Sequence, residues 1–301
     1  MIHKVKIWLK AFRLRTLPLA FSCTVTGTFL AAADDVFRWY ILALTLLTTL
    51  LLQILSNLAN DYGDALSGAD NTSRVGPQRV THSGMVSRSE MKTMIIIFSM
   101  ASLLSGIALI IIGLWGAPLL DKWLFAGFGV LAVIAALRYT LGKNPYGYRG
   151  FGDIYVFIFF GLLGVVGSYY MQTQVFSPLI LLPATSTGLF STGVLNLNNL
   201  RDEESDRESG KRTIVVIFGA RFAKRYHTFL IITGLVAALM YTVFSASGWY
   251  NFLWLLVLPV FLGGIVRVWR AGEPSGLISE LQRLAMATFL FSLFFGVTQI
   301  L

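Results

Sequence analysis

Two short stretches of carboxylates and amides interrupt an apolar chain: Asn57, Asn60, Asp61 and Asp64 in the first, Asn198, Asp202 and Asp206 in the second. In each, an Asn precedes an Asp by four positions, Asn57 to Asp61 and Asn198 to Asp202, and a second interval of four follows, Asn60 to Asp64 and Asp202 to Asp206. Residues four apart share one face of a helix, so each stretch turns a patch of hard oxygen donors in one direction. Such donors suit Mg²⁺. The first stretch is followed by Asp70, Arg74 and Arg79, the second by Lys211 and Arg212. Carboxylates that capture Mg²⁺, beside Arg and Lys that neutralise phosphate oxygens, are the parts of a metal-diphosphate site. Two such segments meeting over one cavity would grip a diphosphate from both sides.

The elements that must position these groups are membrane helices. Of 301 residues, 55% are hydrophobic and only 13% charged, where soluble domains run near a quarter charged. Apolar runs long enough to cross a bilayer recur over roughly 17–33, 39–59, 93–114, 123–142, 153–172, 178–199, 226–246, 252–270 and 284–301. The expectation is an all-α, polytopic protein of about nine transmembrane helices around a central cavity. It reads as one domain over 1–301, with an interfacial segment at 1–16 and capping catalytic loops at 60–92 and 200–225. Of the 24 Lys and Arg, all but Arg38 and Lys122 fall on one side of this arrangement. The positive-inside rule makes that side cytoplasmic, together with the N-terminus and both acidic clusters. The net charge of +9 is then explained by orientation, and nucleic acid is not an expected partner.

At the N-terminus, Ile7, Trp8, Ala11 and Phe12 share one face of a basic segment, which fits a helix lying on the inner leaflet. A secretory signal ending at Ala31-Ala32-Ala33 is the rival reading, and the length of the basic segment speaks against it. The 141-residue offset between the two Asn-x-x-x-Asp units hints at a parallel internal repeat. The single cysteine, Cys23, excludes an internal disulfide. His3, His82 and His227 show no metal-ligand spacing. Nine spans with acidic residues would also suit a cation-coupled carrier, but a carrier's acids belong near the bilayer midplane rather than beside Arg and Lys at one face.

The motifs resemble those of the UbiA-type intramembrane prenyltransferases. The family's first motif, Asn-Asp-x-x-Asp-x-x-x-Asp, is matched by Asn60-Asp61-Tyr62-Gly63-Asp64, with Gly68 where the last acid is expected and Asp70 two positions on. The second, Asp-x-x-x-Asp before a Gly and a basic residue, is matched by Asp202-Glu203-Glu204-Ser205-Asp206 with Gly210-Lys211. Likeness to the branch that prenylates 1,4-dihydroxy-2-naphthoate extends through Pro145-Tyr146-Gly147-Tyr148-Arg149-Gly150-Phe151-Gly152-Asp153 and Asn196-Leu197-Asn198-Asn199. The resemblance implies Mg²⁺-dependent transfer of a polyprenyl group from its diphosphate to an aromatic acceptor, in the bacterial cytoplasmic membrane. For the naphthoate branch CO₂ is lost and demethylmenaquinone results; 4-hydroxybenzoate, homogentisate and tetrapyrroles are the other acceptors within the family.

On this reading the metal ligands are Asn57, Asn60, Asp61, Asp64, Asp70, Asp202 and Asp206, with Asp61, Asp64, Asp202 and Asp206 catalytic. Arg13, Arg74, Arg79, Lys211 and Arg212 are the diphosphate-binding candidates, Arg13 also suiting an anionic lipid. An allylic cation needs aromatic faces and no water, which nominates Tyr139, Tyr146 and Tyr148, although tyrosines also crowd membrane interfaces. Asp153 either takes part in acceptor binding or caps its helix.

Overall fold

The computed structural model describes residues 2–68, 75–76 and 79–301. Among them are nine helices long and apolar enough to cross a membrane, and no strand. The chain is an integral membrane protein. Helix α1 (Ile2–Phe12) leads through a short 3₁₀ turn into α2 (Leu17–Ala33), whose first turn carries Pro18. Arg13, at the junction, adopts a left-handed conformation, φ 50°. Helix α3 (Trp39–Ser67) is followed by α4 (Arg88–Gly113), which starts on a capping box in which the Ser87 hydroxyl accepts from the Glu90 backbone N–H. Next comes α5 (Leu119–Arg138) and a 3₁₀ turn at Tyr146–Arg149. The fifth span, Gly152–Thr173, is composite, with α6 (Gly152–Val156), a π-helical stretch at Phe157–Val166 and α7 (Gly167–Thr173). After α8 (Leu181–Arg201) come the short α9 (Glu203–Glu208) and α10 (Ile214–Phe218). Helix α11 (Ala220–Ser245), a 3₁₀ segment running into α12 (Leu258–Arg270), and α13 (Gly276–Ile300) complete the bundle.

The hydropathy reading located every span but misjudged the end of the second. It stops at 59, whereas α3 continues to Ser67, so Asn57–Asp64 lie on helix rather than in a loop beginning at 60. Polar residues there mark a change in what the helix faces, not its end. The helix stops where Gly68 supplies φ 72° and its N–H returns to the Asp64 carbonyl.

Close helix approach holds the centre together. A Cβ on Gly161 would lie 2.6 Å from the Ala184 carbonyl oxygen and 2.9 Å from the Gly188 Cα, so the π-helical stretch and α8 touch backbone to backbone. Behind them Phe190, Trp254, Phe261, Phe291 and Phe295 form a buried aromatic core, with Phe190 and Phe261 centroids 4.5 Å apart. At the end of the bundle away from the acidic clusters, Trp39, Trp115, Trp123 and Trp249 stand exposed, as in an interfacial aromatic belt. Arg38 lies at this end for a structural reason. Its guanidinium donates to the carbonyls of Gly113, Met171 and Gln172, closing the C-terminal ends of α4 and α7.

Candidate active site

Helices α2 to α8 enclose a cavity of about 690 Å³. At one end, α3 brings Asn57, Asn60 and Asp64 to its wall, while the end of α8 and α9 bring Asn198, Asp202 and Asp206. The two sequence clusters therefore face each other. Lys211 joins them, its Nζ lying 3.1 Å from Asp64 Oδ1 and 3.3 Å from Asp206 Oδ1. The turn that delivers Lys211 contains Gly210 at φ 75°, and the Lys211 N–H donates to the Asp206 carbonyl at 2.8 Å.

The surrounding charges are arranged in pairs. Asp64 also accepts from Tyr148 Oη at 2.6 Å and pairs with Arg79, and both partners of that ion pair are buried. Arg201 grips Asp202 with two contacts, Nε to Oδ1 at 2.7 Å and a terminal nitrogen to Oδ2 at 2.5 Å, and it also donates to Asn198 Oδ1 at 2.9 Å. Burial pushes the Asp206 carboxyl up to about 6; Lys211 pulls it down, and Asp202 and Asp64 push it up. Burial likewise raises the phenols of Tyr139, Tyr146 and Tyr148, Tyr148 further through the Asp64 charge, so all three remain protonated donors.

Just beyond the carboxylates, aromatic rings line the wall. Tyr139 meets Tyr146 edge-on at 5.4 Å, Tyr146 stacks on Tyr155 at 3.8 Å, and Tyr155 continues to Phe159 at 6.2 Å. Deeper still, the lining hydroxyls are hydrogen-bonded within the bundle. Thr45 donates to the Ile41 carbonyl at 2.7 Å, Thr48 to Leu44 at 2.9 Å, Ser102 to Phe98 at 2.7 Å and Ser168 to Gly164 at 2.6 Å, while Thr49 pairs with Thr24. With their polar atoms satisfied, these residues present carbon, as do Leu52, Leu103, Phe160 and Leu163. One cavity thus has a charged end, an aromatic collar and a hydrocarbon shaft.

Several nominated residues lie elsewhere. Asp61 does not line the cavity: its carboxylate accepts the backbone N–H groups of Val80, at 3.2 Å, and Thr81, at 3.1 Å, tying α3 to the segment that carries Arg79. Asp153 is buried behind the cavity wall and faces Tyr226. Arg212 is exposed, and its contribution is a backbone N–H donated to the Tyr148 carbonyl at 2.9 Å. Asn57 lines the cavity but spends its amide on the Phe12 carbonyl and Thr16 Oγ1, anchoring the N-terminal helix. Arg13 lines the same wall. Asp70 and Arg74 lie outside the described residues. Arg201, Gln53 and Thr16 were not anticipated. Gln53 sits four positions before Asn57, and following that helical stripe upstream would have found it.

Comparison with known proteins decides the family, for the UbiA prenyltransferase family matches residues 20–293. The chain belongs to the UbiA prenyltransferase family. Membership favours transfer over the carrier reading. Within the family, the chain is 43% identical to a 1,4-dihydroxy-2-naphthoate octaprenyltransferase of Haemophilus influenzae, over 98% of this chain and 96% of the relative. It is also 43% identical to the Escherichia coli protein of the same name, over 98% of this chain and 95% of that one. Its fold is shared with a UbiA homologue from Archaeoglobus fulgidus solved with DMAPP and Mg²⁺, at a TM-score of 0.60 and 16% identity, covering 95% of this chain and 98% of the other.

Proposed function

We propose that this prenyltransferase moves a polyprenyl group from its diphosphate to 1,4-dihydroxy-2-naphthoate, releasing pyrophosphate and CO₂ and giving the reduced, quinol form of demethylmenaquinone. It would do so in the bacterial cytoplasmic membrane, with the N-terminus and the charged end of the cavity on the cytoplasmic side. The observation that carries the reading is the Lys211 bridge between Asp64 and Asp206, which brings both clusters to the mouth of a shaft lined with carbon. The names of the Haemophilus influenzae and Escherichia coli relatives support the acceptor.

The donor set fits Mg²⁺. Among the described residues no three Asp, Glu, His or Cys side chains are grouped so as to hold an ion by themselves, so amide, diphosphate and water oxygens would have to complete the shell. Asp64, Asp202 and Asp206, with Asn60 and Asn57, would hold the ion. When bound, Mg²⁺ supplies charge that stabilises the departing pyrophosphate.

The chain's own residues do the rest. Lys211 and Arg79, which neutralise carboxylates before substrate arrives, turn toward diphosphate oxygens as these enter, Arg13 adds charge from the cavity wall, and Arg201 holds Asp202 in place. The donor's C–O bond breaks with its electron pair leaving on pyrophosphate. The faces of Tyr139, Tyr146 and Tyr155 steady the allylic cation, and the shaft excludes water that would quench it. The ring carbon bearing the carboxylate forms the new C–C bond, and its bond to the carboxylate then breaks, returning the electron pair to the ring as CO₂ leaves.

The test is a competition. Purified protein is given Mg²⁺, one polyprenyl diphosphate and equal concentrations of 1,4-dihydroxy-2-naphthoate, 4-hydroxybenzoate and homogentisate, and products are identified by mass. Decarboxylated prenyl-dihydroxynaphthalene, detected as such or as the quinone it forms in air, is expected as the main product. Preferential prenylation of another acceptor, or no product from folded protein, would overturn the proposal.

A further inference from the structure

Helix α1 reaches the charged end of the cavity through its own C-terminal end. The Asn57 amide donates to the Phe12 carbonyl at 2.9 Å and to Thr16 Oγ1 at 3.0 Å, and Gln53 donates to the same hydroxyl at 3.2 Å. That hydroxyl donates in turn to the Arg13 carbonyl at 2.9 Å. Arg13, Thr16, Gln53 and Asn57 all line the cavity. Where α1 lies therefore decides where Arg13 stands on the wall, and it bears on Asn57 through the Phe12 carbonyl.

One face of α1 is spent on protein. Ile7, Trp8, Ala11 and Phe12 pack on the core that includes Leu55 and Leu58 of α3 and Ile95 of α4, and Phe12 meets Phe98 edge-on at 5.2 Å. Lys4 is spent on Glu90, at 3.8 Å.

What remains outside is a second pattern. Val5 and Leu9, 53% and 45% exposed, share one row of the helix, while Lys6 and Lys10, also exposed, share the next, about 100° further round and turned away from the packed face. Hydrocarbon beside ammonium groups suits a helix in the interface of an anionic bilayer, where the apolar row meets acyl chains and the lysines meet lipid phosphates.

We propose that α1 docks on anionic phospholipid through Lys6 and Lys10, and that this contact holds the junction of α1 and α2 against α3 with Arg13 and Asn57 in place for the diphosphate. The two lysines are positioning residues, acting through Phe12 and Thr16. Zwitterionic lipid does not serve, because its own cation competes with them for the phosphate. The docking rests on the exposed rows of α1, and its effect on donor binding rests on the prenyl-diphosphate reading of the cavity.

The experiment places full-length protein in nanodiscs of phosphatidylcholine, with or without phosphatidylglycerol. Two readouts are taken: amide hydrogen exchange over residues 4–12, which needs no substrate, and affinity for one polyprenyl diphosphate with Mg²⁺. In wild type, phosphatidylglycerol should slow exchange across α1 and tighten donor binding roughly fivefold. Lys6→Gln combined with Lys10→Gln should show neither effect. Arg221→Gln combined with Arg270→Gln removes the same charge from exposed positions on α11 and α12 and should show both. Exchange that ignores the lipid in wild type, or the same loss in both double variants, would overturn the docking. Slower exchange with unchanged donor affinity would overturn the link to the cavity. Lipid-dependent exchange in a protein that binds no polyprenyl diphosphate in either bilayer would uphold the docking and sink the diphosphate reading.

Discussion

Asp61 and Asp64 are three residues apart and both buried, yet they meet different partners. At about 100° per residue Asp61 sits about 60° further round α3 than Asp64, enough to carry its carboxylate off the cavity wall and onto the backbone of Val80 and Thr81. Spacing by four singled out Asp61, Asp64, Asp202 and Asp206 alike and could not tell that Asp61 leaves the cavity wall, because the facing of a stripe depends on what packs beside it. It missed Arg201 for a related reason: a base next to an acid in sequence reads as an ordinary helix end until burial of both partners shows the ion pair. Asp61→Ala should act through position. Two buried N–H groups lose their acceptor at about 1–3 kcal/mol each, the segment around Arg79 loosens, and protease cleavage within residues 79–87 accelerates. An unchanged cleavage rate would remove the anchoring role.

At the scale of elements, apolar run length was enough to locate nine spans, because a helix must satisfy its own backbone in lipid. It could not show that α3 outlasts its apolar run, since the polar extension faces an internal cavity rather than solvent. Nor could it show the π-helical stretch at Phe157–Val166, which lies where Gly161 meets Gly188 and Gly164 meets Cys23. Small residues at this crossing are a packing requirement. A Cβ on Gly188 would lie 2.9 Å from a Phe157 ring carbon and 3.0 Å from the Gly161 Cα. Gly188→Ala should therefore cost about 1–3 kcal/mol and lower the melting temperature in detergent. Gly106→Ala, with nothing within 4 Å of the new Cβ, should not. Equal melting of the two variants would mean that the crossing relaxes freely.

For the whole molecule, charge asymmetry predicts orientation. With every described Lys and Arg except Arg38 and Lys122 toward the charged end of the cavity, that end should face the cytoplasm. Arg38 is the instructive exception, held at the other end by three helix carbonyls rather than by the membrane field. In a Cys23→Ala background, a cysteine replacing Val175 should react with a membrane-impermeant maleimide in intact cells, and one replacing Lys143 should react only after lysis. The reverse pattern would invert the topology and place the diphosphate site outside.

If two clusters 141 residues apart in sequence act as one metal-diphosphate clamp, as proposed, pyrophosphate release depends on both. Wild-type protein, Asp64→Asn and Asp206→Asn are each mixed with polyprenyl diphosphate and dihydroxynaphthoate, and Mg²⁺ is added to start the reaction. Wild type should release pyrophosphate in step with prenylated product and only with the metal. Each single variant, one per cluster, should lose about 100-fold or more while remaining folded, with a cooperative melt. Near wild-type release from either variant, or equal release without divalent metal, would contradict a shared clamp.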